Sequence, residues 1–183
     1  MDELQITVIG AGHGGKAMAA ELASRDCVLW LWATWPLLPE AIATIARWGF
    51  TYKTVGFYWV KLNKGKTPPW QERDLFTGMG FWTRANPEMC LLATRGHPRR
   101  RGTDVPRVLV APRREHSRKP DEQYELIEAC SPGPFLELFA RGERPGWQVW
   151  GNQADGEYYP SWDTYAHHSQ VRDETAGVPV TDD

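Results

Sequence analysis

Short apolar runs alternate with helix-length stretches along most of this chain, and that rhythm restricts the fold more than any other feature of the sequence. Residues 5–9 (QITVI) are β-branched and lead into a glycine turn at 10–15. Residues 16–24, rich in Ala, Leu, Met and Glu, read as a helix. Residues 28–33 form an apolar run short enough for a buried strand. Pro39 suits the first turn of the next helix, and Gly49 stops it after Trp48. Residues 52–60 alternate as a strand, with Val55, Phe57 and Trp59 expected on one face. The stretch 61–86 carries Gly, Pro and Lys and reads as a long loop, of a length that usually serves a function. Residues 89–94 and 107–111 read as strands, and 134–141 and 147–151 as the last two. Between these pairs, 119–130 reads as a helix with Pro120, Asp121 and Glu122 at its start and Leu126 and Ile127 facing inward.

Such alternation predicts an α/β fold with a mostly parallel sheet and helices on both faces. Ligands of these sheets bind beyond the carboxyl ends of strands, which singles out Gly10–Gly15, Arg95, Arg141 and Asn152-Gln153. A length of 183 residues suits one domain, expected over 1–159 with 1–26 its least regular part. The polar, acidic stretch 160–183 is expected to lack regular structure.

Composition narrows the partners. Ten tryptophans are more than packing alone demands, so some are expected in the core and some on a surface that stacks flat heterocycles. The longest apolar run, 27–38, is too short to cross a bilayer, and the N-terminus lacks the pattern of a signal peptide. Cys27, Cys90 and Cys130 lie far apart without metal-ligand spacing, which points to reduced thiols, a cytoplasmic location and no metal site. The net charge of −2 argues against an extended nucleic-acid surface. Yet nine Lys/Arg fall between Arg95 and Lys119, against Asp104 and Glu115 alone. A basic stripe of that density attracts a phosphate backbone, or else it is a solvated loop.

Gly10, Gly12 and Gly15 form GxGxxG between a strand and a helix, where the turn and the helix N-terminus suit a pyrophosphate. Residues 4–23 resemble the start of an opine-dehydrogenase-type nicotinamide-binding domain. That fingerprint also needs an acid at the end of the second strand to hold a ribose. Here the strand reads Val28-Leu29-Trp30-Leu31-Trp32-Ala33, so the turn is expected to serve structure and not to bind NAD.

From about residue 27 to 156 the chain resembles the MT-A70 family of adenine N-6 methyltransferases. The resemblance rests on LWLWATWPLLPEA (29–41), GFTYKTVGFYWVK (49–61), GFWTRANPEMCLLATRG (80–96), REHSRKPDE (114–122) and PFLELFARGERPGWQVWGNQ (134–153), in the family's order and spacing. It implies a Rossmann-like methyltransferase fold and S-adenosylmethionine as methyl donor. By the same resemblance Lys119 contacts the donor's carboxylate. Glu137, Phe139 and Arg141, expected on one face of a strand, wall the pocket, and Asn152 and Gln153 hydrogen-bond ribose or adenine. Trp82, Arg84 and Asn86 fall where the family shapes the entrance for the target base, and Trp82 either stacks that base or anchors the loop. Arg99, Arg100 and Arg101 are expected on the phosphate backbone. The implied partner is nucleic acid, DNA ahead of RNA, with a homodimer or heterodimer as the assembly.

The family's chemistry centres on a DPPW tetrapeptide, whose Asp side chain and proline carbonyl accept both hydrogens of the adenine amine. Where that segment is expected, this chain has ITVIGAGHGG. Thr67-Pro68-Pro69-Trp70 looks like the motif with Thr for Asp, but it sits in the long loop and Thr offers only a neutral hydroxyl. The sequence therefore assigns no catalytic residue. It leaves three readings: an impaired adenine methyltransferase, a catalytically inactive nucleic-acid-binding partner, or a nicotinamide-binding oxidoreductase fragment resting on the glycine turn alone.

Overall fold

The computed structural model describes residues 4–8, 26–115, 118–151 and 154. The glycine turn and the helix expected at 16–24 lie outside the described residues, as do Asn152, Gln153 and the acidic stretch 160–183. The described chain runs β1 (Leu4–Val8), β2 (Cys27–Ala33), α1 (Leu38–Arg47), β3 (Thr51–Leu62), β4 (Glu88–Arg95), β5 (Val108–Pro112), α2 (Glu122–Cys130), β6 (Phe135–Leu138) and β7 (Trp147–Trp150). Its strands form a seven-stranded sheet in the order β5-β3-β4-β2-β1-β6-β7.

The sheet is mixed rather than mostly parallel. β4 lies between β2 and β3 and runs antiparallel to both, while the remaining neighbours pair parallel. The cause is the connections on either side of β4. Among the described residues no α-helix lies between β3 and β4 or between β4 and β5. The chain therefore doubles back at each end instead of crossing over. This reverses one expectation directly: Arg95 ends β4 opposite Cys27, the first residue of β2, so it sits at the end of the sheet away from the carboxyl ends of the parallel strands.

β2 is buried along its whole length, as a central strand covered on both faces must be. Cys27, Leu29, Leu31 and Ala33 join Ala41 and Ile45 of α1 on one face. Val28, Trp30 and Trp32 face Phe57, Trp59 and Ile127 of α2 on the other. Helices thus cover both faces. α1 forms as its sequence dictates: Pro39 in the first turn, Ala41 and Ile45 four residues apart on the core face, and Gly49 at φ +78 just past the end. Burying each Leu or Ile of this core stabilises the fold by roughly 1.5–3 kcal/mol.

β3 departs from simple alternation. Its register against β4 shifts between Val55 and Phe57, so Val55 packs with the α1 face while Phe57 and Trp59 pack with the α2 face. The bulge is centred on Gly56, where an added Cβ would lie 2.4 Å from the Trp30 ring. Glycine there lets Trp30 stack on Phe57 at 4.7 Å. Of the described tryptophans, Trp30, Trp32, Trp48, Trp59 and Trp147 are core, and Trp35, Trp70, Trp82 and Trp150 are exposed. No described helix is long and apolar enough to cross a membrane.

Candidate functional site

The carboxyl end of β6 and the start of α2 enclose a cleft lined by Arg118, Lys119, Asp121, Gln123, Tyr124, Glu137, Phe139 and Arg141. Four of the residues expected at the donor, Lys119, Glu137, Phe139 and Arg141, are brought together here. Asn152 and Gln153 lie outside the described residues, directly after Gly151. A Cβ on Gly151 would meet the Ala140 nitrogen at 2.9 Å and the Phe139 Cα at 3.0 Å, so glycine permits this close approach to the cleft wall.

The wall is not a strand face. β6 stops at Leu138, and Phe139 adopts φ +62, a left-handed conformation that costs a bulky residue roughly 1–3 kcal/mol. Phe139 is held by an edge contact with Trp150 at 5.9 Å and by the Ala140 N–H donating to the Trp150 carbonyl at 3.1 Å. The turn re-aims the chain so that Glu137, Phe139 and Arg141 still line one cleft.

Lys119 precedes α2 without joining it, since the helix begins at Glu122. Its side chain is 9% exposed, with Nζ 2.7 Å from Glu88 Oε2 and 5.7 Å from the centre of the Trp32 ring. Glu88 Oε1 meets Lys61 Nζ at 2.6 Å. Burial raises the Glu88 carboxyl, but the two lysines outweigh it and hold the group below its usual range. One carboxylate between two ammonium groups leaves a net positive charge beside the cleft, which favours an anionic ligand group. Gln123, itself buried, accepts from Trp32 Nε1 at 2.6 Å and ties α2 to the sheet.

Glu137 is buried, and the Tyr124 hydroxyl lies 3.0 Å from each carboxylate oxygen. Burial dominates and pushes its pKa up to about 7, against the opposing pull of Tyr124 and of Arg144. The Arg144 guanidinium stacks 3.8 Å from the centre of the Tyr124 ring. Near neutral pH such a carboxyl can accept or donate a hydrogen bond, which suits a diol.

The other expected positions separate. Asn86 is a staple: its Oδ1 accepts from Lys61 N–H at 2.9 Å, and its Nδ2 donates to the Lys61 and Phe76 carbonyls at 2.9 and 2.7 Å. It links the long loop to the Lys61–Glu88–Lys119 chain of charges. Trp82, by contrast, is 100% exposed at the tip of a hairpin closed by the Gly78–Ala85 bridge, with Phe81 and Arg84 exposed beside it. It does not anchor the loop. Thr67, Pro68, Pro69 and Trp70 are exposed in the loop after β3. Three strand spacings of about 4.8 Å separate β3 from β1, after which the family's DPPW is expected. Arg99, Arg100 and Arg101 lie at the opposite end of the sheet from the cleft, where the Arg101 N–H donates to the Cys130 carbonyl at the end of α2.

Sequence reasoning passed over Lys61, Glu88, Gln123 and Tyr124. Lys61 and Glu88 stand inside quoted segments and Gln123 and Tyr124 just after one, but their pairings join residues 13 to 91 positions apart, which no local pattern displays.

Comparison with known proteins agrees with the segments quoted above. The MT-A70 family model matches residues 18–153, beginning after the glycine turn. The chain is 36% identical over 137 residues to the N(6)-adenosine-methyltransferase subunit METTL3 of Danio rerio, covering 72% of this chain and 22% of that protein. It is 34% identical over 151 residues to the human N(6)-adenosine-methyltransferase catalytic subunit METTL3, covering 79% and 25%. To the Type II methyltransferase M.MunI of a Mycoplasma species it is 33% identical over 133 residues, covering 71% and 52%. The match thus spans about a quarter of the length of the METTL3 relatives and about half that of the bacterial one.

Proposed function

The chain belongs to the MT-A70 family, and from that premise we propose that it is the donor-binding domain of an adenine N-6 methyltransferase that uses S-adenosylmethionine on nucleic acid. The observation that carries this reading is the single cleft shared by Lys119, Glu137, Phe139 and Arg141. A methionine carboxylate, a ribose and an adenine ask for a cation, a diol partner and an apolar wall, and the cleft supplies all three. Lys119 takes the carboxylate, with Glu88 and Lys61 fixing where its ammonium sits. Glu137, oriented by Tyr124, takes ribose hydroxyls. Phe139 provides the wall, and Arg141, Asn152 and Gln153 complete the ribose and adenine contacts. When bound, the donor supplies a methyl carbon made electrophilic by its sulfonium.

The acceptor half is where this chain departs from its family. The adenine amine becomes nucleophilic when two fixed acceptors take its hydrogens, and preorganised groups of that kind contribute on the order of a hundred-fold or more in rate. Residues 1–183 contain no DPPW. Thr67-Pro68-Pro69-Trp70 is placed across the sheet and is not the replacement. Methyl transfer by this chain is therefore weak. That same missing motif favours a second reading, a nucleic-acid-binding partner in a homodimeric or heterodimeric methyltransferase pair. DNA is proposed ahead of RNA as the polymer. Trp82 and Arg84 meet the target base and its neighbours. The opine-dehydrogenase-like stretch 4–23 contributes β1 and is read as structural rather than NAD-binding, and the wide spacing of Cys27, Cys90 and Cys130 supports a reduced, cytoplasmic setting.

A thermal-shift series with S-adenosylmethionine, S-adenosylhomocysteine and NAD tests the ligand class: the first two raise the melting temperature and NAD does not. Incorporation of labelled methyl groups into adenine-rich DNA and RNA tests the chemistry, with Thr67→Ala beside wild type. Robust turnover abolished by Thr67→Ala would make TPPW the working motif and overturn this account of the acceptor.

A further inference from the structure

The nine basic residues from Arg95 to Lys119 are contiguous in sequence but not in space. Glu88 and Arg95 stand seven residues apart on β4, whose pairing with β2 is regular from Cys27↔Arg95 to Ala33↔Met89. At about 3.3 Å per residue that is roughly 23 Å. Glu88 marks the cleft end, through Lys119. Arg95 leads into the far-end loop, where Arg99, Arg100 and Arg101 are all exposed.

The loop is built rather than loosely draped. The His97 N–H donates to Asp26 Oδ1 at 2.7 Å, and the Arg101 N–H donates to the Cys130 carbonyl at 2.8 Å. At Gly102 an added Cβ would lie 2.5 Å from the Ala129 carbonyl oxygen, so the backbone presses directly on the end of α2. Three consecutive arginines are thereby presented on a fixed backbone, with the exposed Asp104 as the acid nearest in sequence.

We propose that Arg99, Arg100 and Arg101 grip the phosphate backbone of DNA at a second contact, in the loop that follows Arg95, itself roughly 23 Å along β4 from Glu88. The proposal rests on the nucleic-acid reading above and adds a length requirement to it. At about 3.4 Å per base pair, a separation on that scale corresponds to several base pairs, so a duplex of only a few base pairs around the target adenine does not reach the loop. The contact is independent of sequence, because phosphates position the protein without reading bases.

The test is fluorescence anisotropy on the full chain with labelled DNA hairpins of about 6 and about 24 base pairs, each with a central adenine, across a salt series. Replacing Arg99, Arg100 and Arg101 together with Ala is expected to weaken binding of the long hairpin about ten-fold or more and to lower its salt slope by up to about 2.7. Binding of the short hairpin stays within about two-fold. The triple Lys variant keeps the long-hairpin affinity, and circular dichroism confirms that all variants are folded. Equal losses on both hairpins would place the arginines at the adenine itself and overturn the second contact while leaving nucleic-acid binding intact. No loss on either would reduce the loop to a solvated cap on α2. A wild-type chain that binds neither hairpin would overturn the nucleic-acid reading as well.

Discussion

At one end of β4, Glu88 lies between Lys61 and Lys119; at the other, Arg95 leads into a loop whose Arg99, Arg100 and Arg101 face solvent. Both ends are basic, yet the charges work under different rules. The cleft-end lysines are largely withdrawn from water, so their interactions are little screened and breaking one leaves an uncompensated charge. The far-end arginines sit in high dielectric, where ion pairs add about 0–1 kcal/mol to stability but phosphate contacts add salt-dependent affinity. Solvent exposure, more than residue type, separates the proposed pocket lysines from the arginines proposed to contact a polymer.

The largest test of that contrast is stability. Glu88→Ala leaves Lys61 and Lys119 facing each other in a half-buried site and is expected to cost about 3 kcal/mol in urea unfolding. The triple Ala variant at Arg99, Arg100 and Arg101 is expected to cost about 1 kcal/mol or less. Equal costs would erase the distinction between the two ends.

A second difference appears in pH dependence, and it belongs to the cleft end. The folded pKa of Glu137 is about 7, above the ordinary value of 4.5. Between those values the folded state holds a proton that the unfolded state has lost, so stability from this group is full below pH 4.5 and falls as pH rises through 7. The loss is on the order of 3 kcal/mol. Glu137→Gln should flatten the stability curve across that window, as read by thermal unfolding at a series of pH values. An unchanged slope would show that Glu137 is already ionised in the fold.

Much of this arrangement was legible in the sequence. The Val28–Ala33 run and the Pro39 start of α1 depend on local propensity, so they could be placed within a residue or two, whereas the strand expected over 134–141 stops at Leu138, where Phe139 turns the chain. The direction of β4 was not legible, because strand polarity follows from whether a connection holds a helix, and the loops around β4 carry mixed composition. That single reversal moved Arg95 from the expected ligand end of the sheet to the other. Bulges hide in the same way: Val55 and Phe57 alternate in sequence, but Gly56 inserts between them so that Trp30 can lie flat on Phe57. Lys119 was expected as the first residue of a helix over 119–130, whereas it precedes α2 and Glu88 and Trp32 hold it, a partnership spanning 31 and 87 residues.

A smaller effect separates the exposed hairpin from both ends of β4. Trp82→Ala removes no buried contact and should leave stability within about 0.5 kcal/mol, yet weaken binding of single-stranded, adenine-containing DNA by about 1–3 kcal/mol if a base stacks there. Loss of stability without loss of affinity would return Trp82 to a packing role.

The most direct measurement of the division between the two ends is calorimetric titration of S-adenosylhomocysteine into wild type, Lys119→Ala and the triple Ala variant at Arg99, Arg100 and Arg101. A charge-assisted bond from Lys119 to the ligand carboxylate is worth about 1.5–3 kcal/mol, so Lys119→Ala should bind about ten- to a hundred-fold more weakly. The arginine variant should bind as wild type does. Equal weakening in both variants, or no heat from a folded wild-type protein at millimolar ligand, would contradict the assignment of the donor to the cleft.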